Sequence, residues 1–374
     1  MGHRFGGRPF NILSESHELN IDIEMILRNK GKSILILFSI LGMSVHLNAQ
    51  KAKTSQDSIN VFYNQLFFNL KKAYLLRKSV DWKSVESDTK ENLKKYNSFK
   101  NSLDEIKVLF GKIDATHCTV FKGNKRYSLA ANIPLGDQFS EQWKRKNSTK
   151  PGFEVKVIDG KYGYILMPKI AYIDQTPENT HKIAQPLYDQ ITELKAKNKL
   201  EGWIVDLRFN TGGNSEPMLL ALYDFLGNNV VWGSLDVNKK PTDKMKLSNG
   251  TYIYNSKKLS YINPKGELLD NAKVSVITGL MTASSGEITA LAFRGRPNTL
   301  LIGETTLGYT TGNMQVKLPF DFDMALTSSY NSDRNGIYYE RIVPDISVSK
   351  GDNFDDLLLD KNIQKAIKFF QKPN

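Results

Sequence analysis

The sequence predicts an α/β (α+β) fold preceded by an N-terminal helical region, and three observations carry that expectation. Residues 56–112 place apolar side chains at three- and four-residue spacing, apolar strand-like runs alternate with helical patterns from Phe153 onward, and glycine-bearing or small-residue turns follow two of those runs. Strands alternating with helices build βαβ units, whose sheet is buried between layers. With 374 residues, 40% hydrophobic and 24% charged, the chain can bury a sizeable core as one large domain or two unequal ones.

Residues 1–24 form an upstream extension with no convincing element, which makes Met25 a candidate start. From there the chain reads "MILRNKGKSILILFSILGMSVHLNAQ", with Arg28, Lys30 and Lys32 ahead of an apolar run from Ile34 to Val45 and the small Ala49 before Gln50. A basic segment, a short apolar run and a small-residue exit read as a secretory signal peptide over residues 25–50, so the protein is expected to be exported, periplasmic or extracellular. The run is short for a membrane span, and an uncleaved anchor is the alternative. No cysteine follows the run, which argues against a lipid anchor.

Residues 51–115 form the predicted helical region, in which "VFYNQLFFNLKKAYLLRKS" and "SFKNSLDEIKVLFGKI" read as amphipathic helices with core aromatics. A core domain is expected over 116–350. Its polar stretch 119–152 reads as short strands and loops or a covering flap. "FEVKVIDGKYGYILMP" reads as a hairpin around Asp159 and Gly160, and "THKIAQPLYDQITELKAKN" as a helix. The strand "GWIVDLRF", a Gly turn, the helix "EPMLLALYDFLG" and a hairpin-like insertion over about 229–268 come next. The strand "KVSVITG", a helix from Ser284 to Phe293 and the strand "TLLIGE" complete the alternation. A C-terminal helix is expected over 351–374.

Charge and cysteine content exclude several functions. Residues 1–50 hold five Lys/Arg and four Asp/Glu, so the net charge of +12 falls only to +11 without them. The excess is spread over clusters such as "KGNKR" and "QWKRKNSTK", with no aromatic-interleaved basic stripe, and no nucleic-acid partner is expected. No membrane partner is expected once the signal is removed. The single cysteine, Cys118, excludes an internal disulfide and reads as a small buried residue. In the absence of a Cys/His cluster, no metal and no cofactor are expected.

In such sheets sites gather at the carboxyl ends of strands, which is where both turns lie. "DLRFNTGGNSEP" places Gly212 and Gly213 after an apolar strand, where backbone amides can face a cleft. It lacks the GK[ST] ending of a phosphate loop. In "TASSGEITALAF", Ser284 and Glu287 match a capping box, and a serine at a helix N-terminus also sits where free amides favour an attacking oxygen and its oxyanion. Both roles are open. Of the five histidines, His3, His17 and His46 lie in or before the signal, leaving His181 on a helical pattern and His117 in "DATHCTVF". Either is a structural histidine or, for His117, a base.

Taken in order, "DLRFNTGG", "TASSGE" and "IGETTLG" resemble the C-terminal processing, or tail-specific, serine peptidase family, with "IVPDI" similar to its closing Pro-Asp segment. The resemblance covers roughly residues 56–350. It implies a crotonase/ClpP-like ββα core and an exported serine endopeptidase acting on a peptide or protein substrate. It implies Ser284 as nucleophile, an oxyanion hole from Ser285 with Gly212 or Gly213, and Glu287 as structural support in the capping box. Two departures qualify it. Tyr309 stands where Ser/Lys members carry their lysine, and Lys317 lies too far along to substitute. The resemblance is therefore to the tricorn-like branch, which implies His117 as base with Thr116 linking it to Glu340. The stretch from His117 to Gly163 is also too short for a PDZ domain, so tail specificity is not implied. A non-catalytic ligand- or peptide-binding protein on the same fold is the alternative, whereas a crotonase-like acyl-thioester enzyme is disfavoured by export and by the three motifs.

Overall fold

A computed structural model describes residues 54–129 and 136–373, so the expected signal peptide lies outside the described residues. The chain divides into Met1–Ser58 and Ile59–Asn374. Of the first unit only residues 54–58 are described, and they open the helix Ser55–Ala73. The second unit holds everything below. Among the described residues no helix is long and apolar enough to cross a membrane.

The helical pattern over 56–112 is realised in Ser55–Ala73, Trp82–Leu93, Phe99–Ser102 and Glu105–Lys112. Asp81 caps the second by accepting the Lys83 and Ser84 N–H groups. Phe62, Leu66 and Leu70 recur at helical spacing and pack with Ile106, Leu109 and Phe110. The same cluster takes in Val120, Met324 and Leu326 of the strands below, so this region and the core domain share one hydrophobic layer rather than standing apart.

Those strands belong to an eight-stranded sheet ordered β2-β1-β13-β6-β7-β8-β9, with β12 paired to β13. Its members are β1 (Thr119–Lys122), β2 (Lys125–Tyr127), β6 (Val230–Leu235), β7 (Pro241–Ser248), β8 (Thr251–Tyr254), β9 (Lys257–Tyr261), β12 (Thr311–Leu318) and β13 (Phe322–Ser332). The expected hairpin-like insertion is thus the four-stranded run β6–β9, which joins the sheet where Tyr330 pairs with Leu235.

The second sheet has six strands in the order β14-β11-β10-β5-β4-β3: β3 (Glu154–Ile158), β4 (Tyr162–Leu166), β5 (Gly202–Asp206), β10 (Val274–Thr278), β11 (Thr299–Gly303) and β14 (Ile346–Ser347). All neighbours are parallel except β3, which makes the expected hairpin with β4 through Asp159 and Gly160, both at positive φ. β4, β5 and β10 are buried along their whole length, and their side chains alternate between two layers. Val205 and Val276 pack with the helices Pro177–Lys197, Ser215–Ala221 and Ser285–Phe293, whereas Ile204 and Ile277 pack with the helix Lys361–Phe370. That last helix occupies only part of the expected 351–374, because Asp360 caps it by accepting the Asn362 and Ile363 N–H groups.

Arg208, just past β5, is buried and pairs with Asp206, Asp352 and Asp360. The C-terminal segment is thereby fastened to the strand end that carries the Gly-Gly turn.

Candidate active site

The turn after β10 places Ser284 at φ 53°, ψ −116°, a conformation that L residues with a Cβ rarely hold, directly ahead of the helix Ser285–Phe293. Four hydrogen bonds around Thr282 and Ala283 hold it there. Thr282 Oγ1 donates to Leu207 O and accepts Gly279 N–H, the Ala283 N–H donates to Asn210 O, and the Leu307 N–H donates to Thr282 O. Glu287 is buried and reaches back from the first turn of the helix: Oε2 accepts the Ser284 N–H at 2.8 Å, while Oε1 accepts Thr306 Oγ1 at 2.5 Å and Gly308 N–H at 2.9 Å. Burial pushes its carboxyl up, opposed by those donors. With Glu287 at the third helical position, Ser284 forms the capping box, and its hydroxyl also has a partner outside the helix.

It faces His117. Ser284 Oγ lies 3.1 Å from His117 Nε2, and His117 Nδ1 lies 2.7 Å from Thr311 Oγ1. The histidine sits on the turn into β1, where Asp114 at positive φ and the Ala115 N–H to Phe110 O bond fold the chain back. Asn313 Nδ2 donates to His117 O, tying that turn to β12. Tyr309, at the position a lysine would hold, stacks on the imidazole with ring centroids 4.9 Å apart and planes inclined by 19°. Burial holds the His117 pKa down to about 4, which leaves the ring neutral and able to accept a proton at neutral pH.

The relay expected through Thr116 and Glu340 is not formed. Both nitrogens of His117 are already engaged, by Ser284 and Thr311, so no position remains for Thr116. Thr116 is exposed on the turn, with its N–H bonded to Asp114 O, and it lines one pocket with His117 and Glu340 without a side-chain hydrogen bond to either among the described residues. Glu340 is exposed and meets this region through its main chain, where its carbonyl accepts Thr310 Oγ1 at 3.1 Å. Thr311 went unread in the sequence. Its signal was a pair of hydroxyls, Thr310 and Thr311, two residues past the motif loop that returns to the nucleophile turn. His181, the other histidine among the described residues, stacks on Tyr261 and does not line the cleft at Ser284.

Of the glycines, Gly212 approaches Ser284 so closely that a Cβ there would lie 2.8 Å from Ser284 Cβ, but its N–H already donates to Asn210 Oδ1 at 3.0 Å. The amides of Gly213 and Ser285 enter none of the hydrogen bonds among the described residues and border the cleft at Ser284. Ser285 Oγ donates to Gly213 O at 2.7 Å, locking the two turns together. A hydroxyl, a neutral imidazole and two free amides at a helix N-terminus form a set suited to acyl transfer.

Comparison with known proteins gives the fold and the family. The L. lactis subsp. lactis protein named "Nisin-resistance protein" is 34% identical over 155 residues, which are 41% of this chain and 48% of that one. This chain therefore spans about half the length of that relative. A lipoprotein from Streptococcus agalactiae shares the fold, with a TM-score of 0.60 at 21% identity over 83% of this chain and 95% of the other. A structure from Parabacteroides merdae assigned as a candidate peptidase has a TM-score of 0.55 at 16% identity, covering 84% of this chain and 97% of its own. The sequence profile of peptidase family S41 matches residues 161–348, a span holding the Gly-Gly turn, Ser284, Glu287 and Thr311, and the chain belongs to that family.

Proposed function

We propose that this chain is an exported serine peptidase that cleaves peptide bonds through an acyl-enzyme on Ser284. The observation that carries the reading is the 3.1 Å approach of His117 Nε2 to Ser284 Oγ. His117 takes the hydroxyl proton as Oγ attacks the carbonyl carbon, and the amides of Gly213 and Ser285 hold the oxyanion. The proton passes to the leaving amine, and water activated by the same base releases the acyl group. Thr311 accepts the Nδ1–H, fixing the tautomer in which Nε2 is the acceptor, and the Tyr309 ring face favours the transient imidazolium. No carboxylate is needed to orient the ring. Export is supported by the basic and apolar segments over 25–50 and by likeness to a lipoprotein. The identity to a nisin-resistance protein makes nisin a natural first peptide to assay.

The test is labelling by a fluorophosphonate with a peptide-library digest in parallel. Labelling and cleavage by the parent, both lost in Ser284→Ala and His117→Ala, support the reading. A folded parent that does neither between about pH 5 and 9 refutes it and leaves a ligand-binding protein on the same fold.

Two further outcomes are expected. Thr311→Val keeps shape but removes the acceptor for Nδ1–H, and should lower kcat by about 10- to 100-fold, with Thr311→Ser restoring most of it and thermal melting unchanged. Because His117 is held down to about 4, its neutral form persists as pH falls through the ordinary histidine range. The acid limb of kcat/KM should thus have its midpoint near 4, and a midpoint near 6.5 would show a solvated ring.

A further inference from the structure

The cleft that starts at Ser284 continues between the helix N-termini and strands β6–β8, β12 and β13, with a volume of about 640 Å3. Its charged lining has one sign. Glu216, Asp236 and Asp243 face it, and no lysine or arginine does among the described residues, although the chain carries a net charge of +12. The hydrogen bonds to these carboxylates come from neutral groups. Asp236 Oδ1 accepts the N–H groups of Asn238 and Lys240, Asp243 accepts Asn255 Nδ2 and Thr242 Oγ1, and Glu216 Oε2 accepts Ser260 Oγ. Burial pushes Glu216 up. The Lys240 N–H leads in holding Asp236 below the usual range, with the Asn238 N–H and the Lys240 and Lys78 charges adding to it from outside the cleft lining, and at Asp243 burial is outweighed by Tyr254, Asn255 and Thr242, so these two carry the negative charge at neutral pH.

Asn331 adds an independent observation. It lines the same cleft, is fully buried, and neither its Nδ2 nor its Oδ1 has a hydrogen-bond partner. Its own N–H donates to Thr310 O, which seats it beside Thr311 and hence beside the His117 contact. Gly312 leaves the space: a Cβ there would stand 2.9 Å from Asn331 Oδ1. A buried amide with both ends unpaired is rare in a native protein and marks a place where a ligand completes the bonding.

We propose that this arm of the cleft is a specificity subsite for a basic side chain, with Asp236 and Asp243 attracting a substrate lysine or arginine while the Asn331 amide hydrogen-bonds the bound peptide. The assignment rests on the peptidase reading of Ser284 and His117. A cleft of one sign with low-dielectric walls concentrates oppositely charged ligands and repels acidic ones. Asn331 supplies what charge alone lacks, a directional donor and acceptor at a fixed depth.

The test uses the full chain carrying Ser284→Ala, so that binding is read without turnover. Three fluorescent peptides of one Gly/Ser/Ala sequence, differing only in a central lysine, norleucine or glutamate, are titrated by anisotropy. The lysine peptide should bind about 10-fold or more tighter than the norleucine peptide, with the glutamate peptide weakest and the gap narrowing at high salt. Asp236→Asn with Asp243→Asn should reduce the lysine preference to within about 2-fold, and Asn331→Ala should weaken all three peptides. Equal binding of the lysine and norleucine peptides, a preference unchanged in the double variant, or no binding of any peptide by folded protein overturns the subsite. Turnover and fluorophosphonate labelling of the parent are scored separately. A lysine preference without turnover sinks the peptidase reading and leaves the subsite, and turnover without preference does the reverse.

Discussion

The double variant Ser284→Ala/His117→Ala should hydrolyse peptides no more slowly than Ser284→Ala alone, although each single change should lower kcat by about 10³- to 10⁶-fold. On the proposed mechanism the two side chains form one device: the imidazole has no proton to take once the hydroxyl is gone, and the hydroxyl stays protonated without the imidazole. Their separation of 3.1 Å already lies within proton-transfer reach. What remains in each variant is the binding and oxyanion contribution of the Gly213 and Ser285 amides, which neither substitution touches. The comparison is made by single-turnover cleavage followed by mass spectrometry. Losses that multiply in the double variant would show that the residues act independently and that the pairing is incidental.

Gly213→Ala should have the next largest effect, with a loss in kcat of about 10²- to 10³-fold and a clear fall in melting temperature. The added Cβ would stand 1.9 Å from Ile170 O, at φ 112°, and the obstacle is backbone with no rotamer by which to yield. The turn must move, and with it both the free Gly213 amide and the carbonyl that holds Ser285 Oγ. Gly123→Ala is the control, because Gly123 also has positive φ, 54°, but open space around it. It isolates backbone strain, about 1–2 kcal/mol, from the loss of the turn. A Gly213→Ala enzyme as active as the Gly123→Ala enzyme would exclude Gly213 from the oxyanion site.

The parallel sheet was readable because its strands obey simple local rules. "GWIVD" and "VSVIT" are continuous apolar runs ended by turn residues, and the hairpin at Asp159-Gly160 has the residues its positive φ values require. The strands β12 and β13 were not read, because "TGNMQVKL" and "FDMALTSSYNS" mix polar and apolar residues without a clean period. Their polar positions such as Asn313 and Ser329 line the cleft while Met324 and Leu326 pack against the helical layer, and that demand is non-local. The motifs point to His117 and Ser284, which lie 3.1 Å apart, but not to the Nδ1 partner Thr311. Thr116 is adjacent to His117 in sequence and Thr311 is 194 residues away, and only the fold, through the Asn313 contact to His117 O, decides which hydroxyl is near.

Cys118 is the only thiol of the chain, fully buried, and bonded through sulfur to Thr327 on β13. It follows His117 directly, so a thiol reagent should reach it only when the turn carrying His117 lifts from the sheet. The rate of native-state labelling then counts those openings, independently of any substrate. A peptide that slows the reaction would be gripping the turn that carries His117.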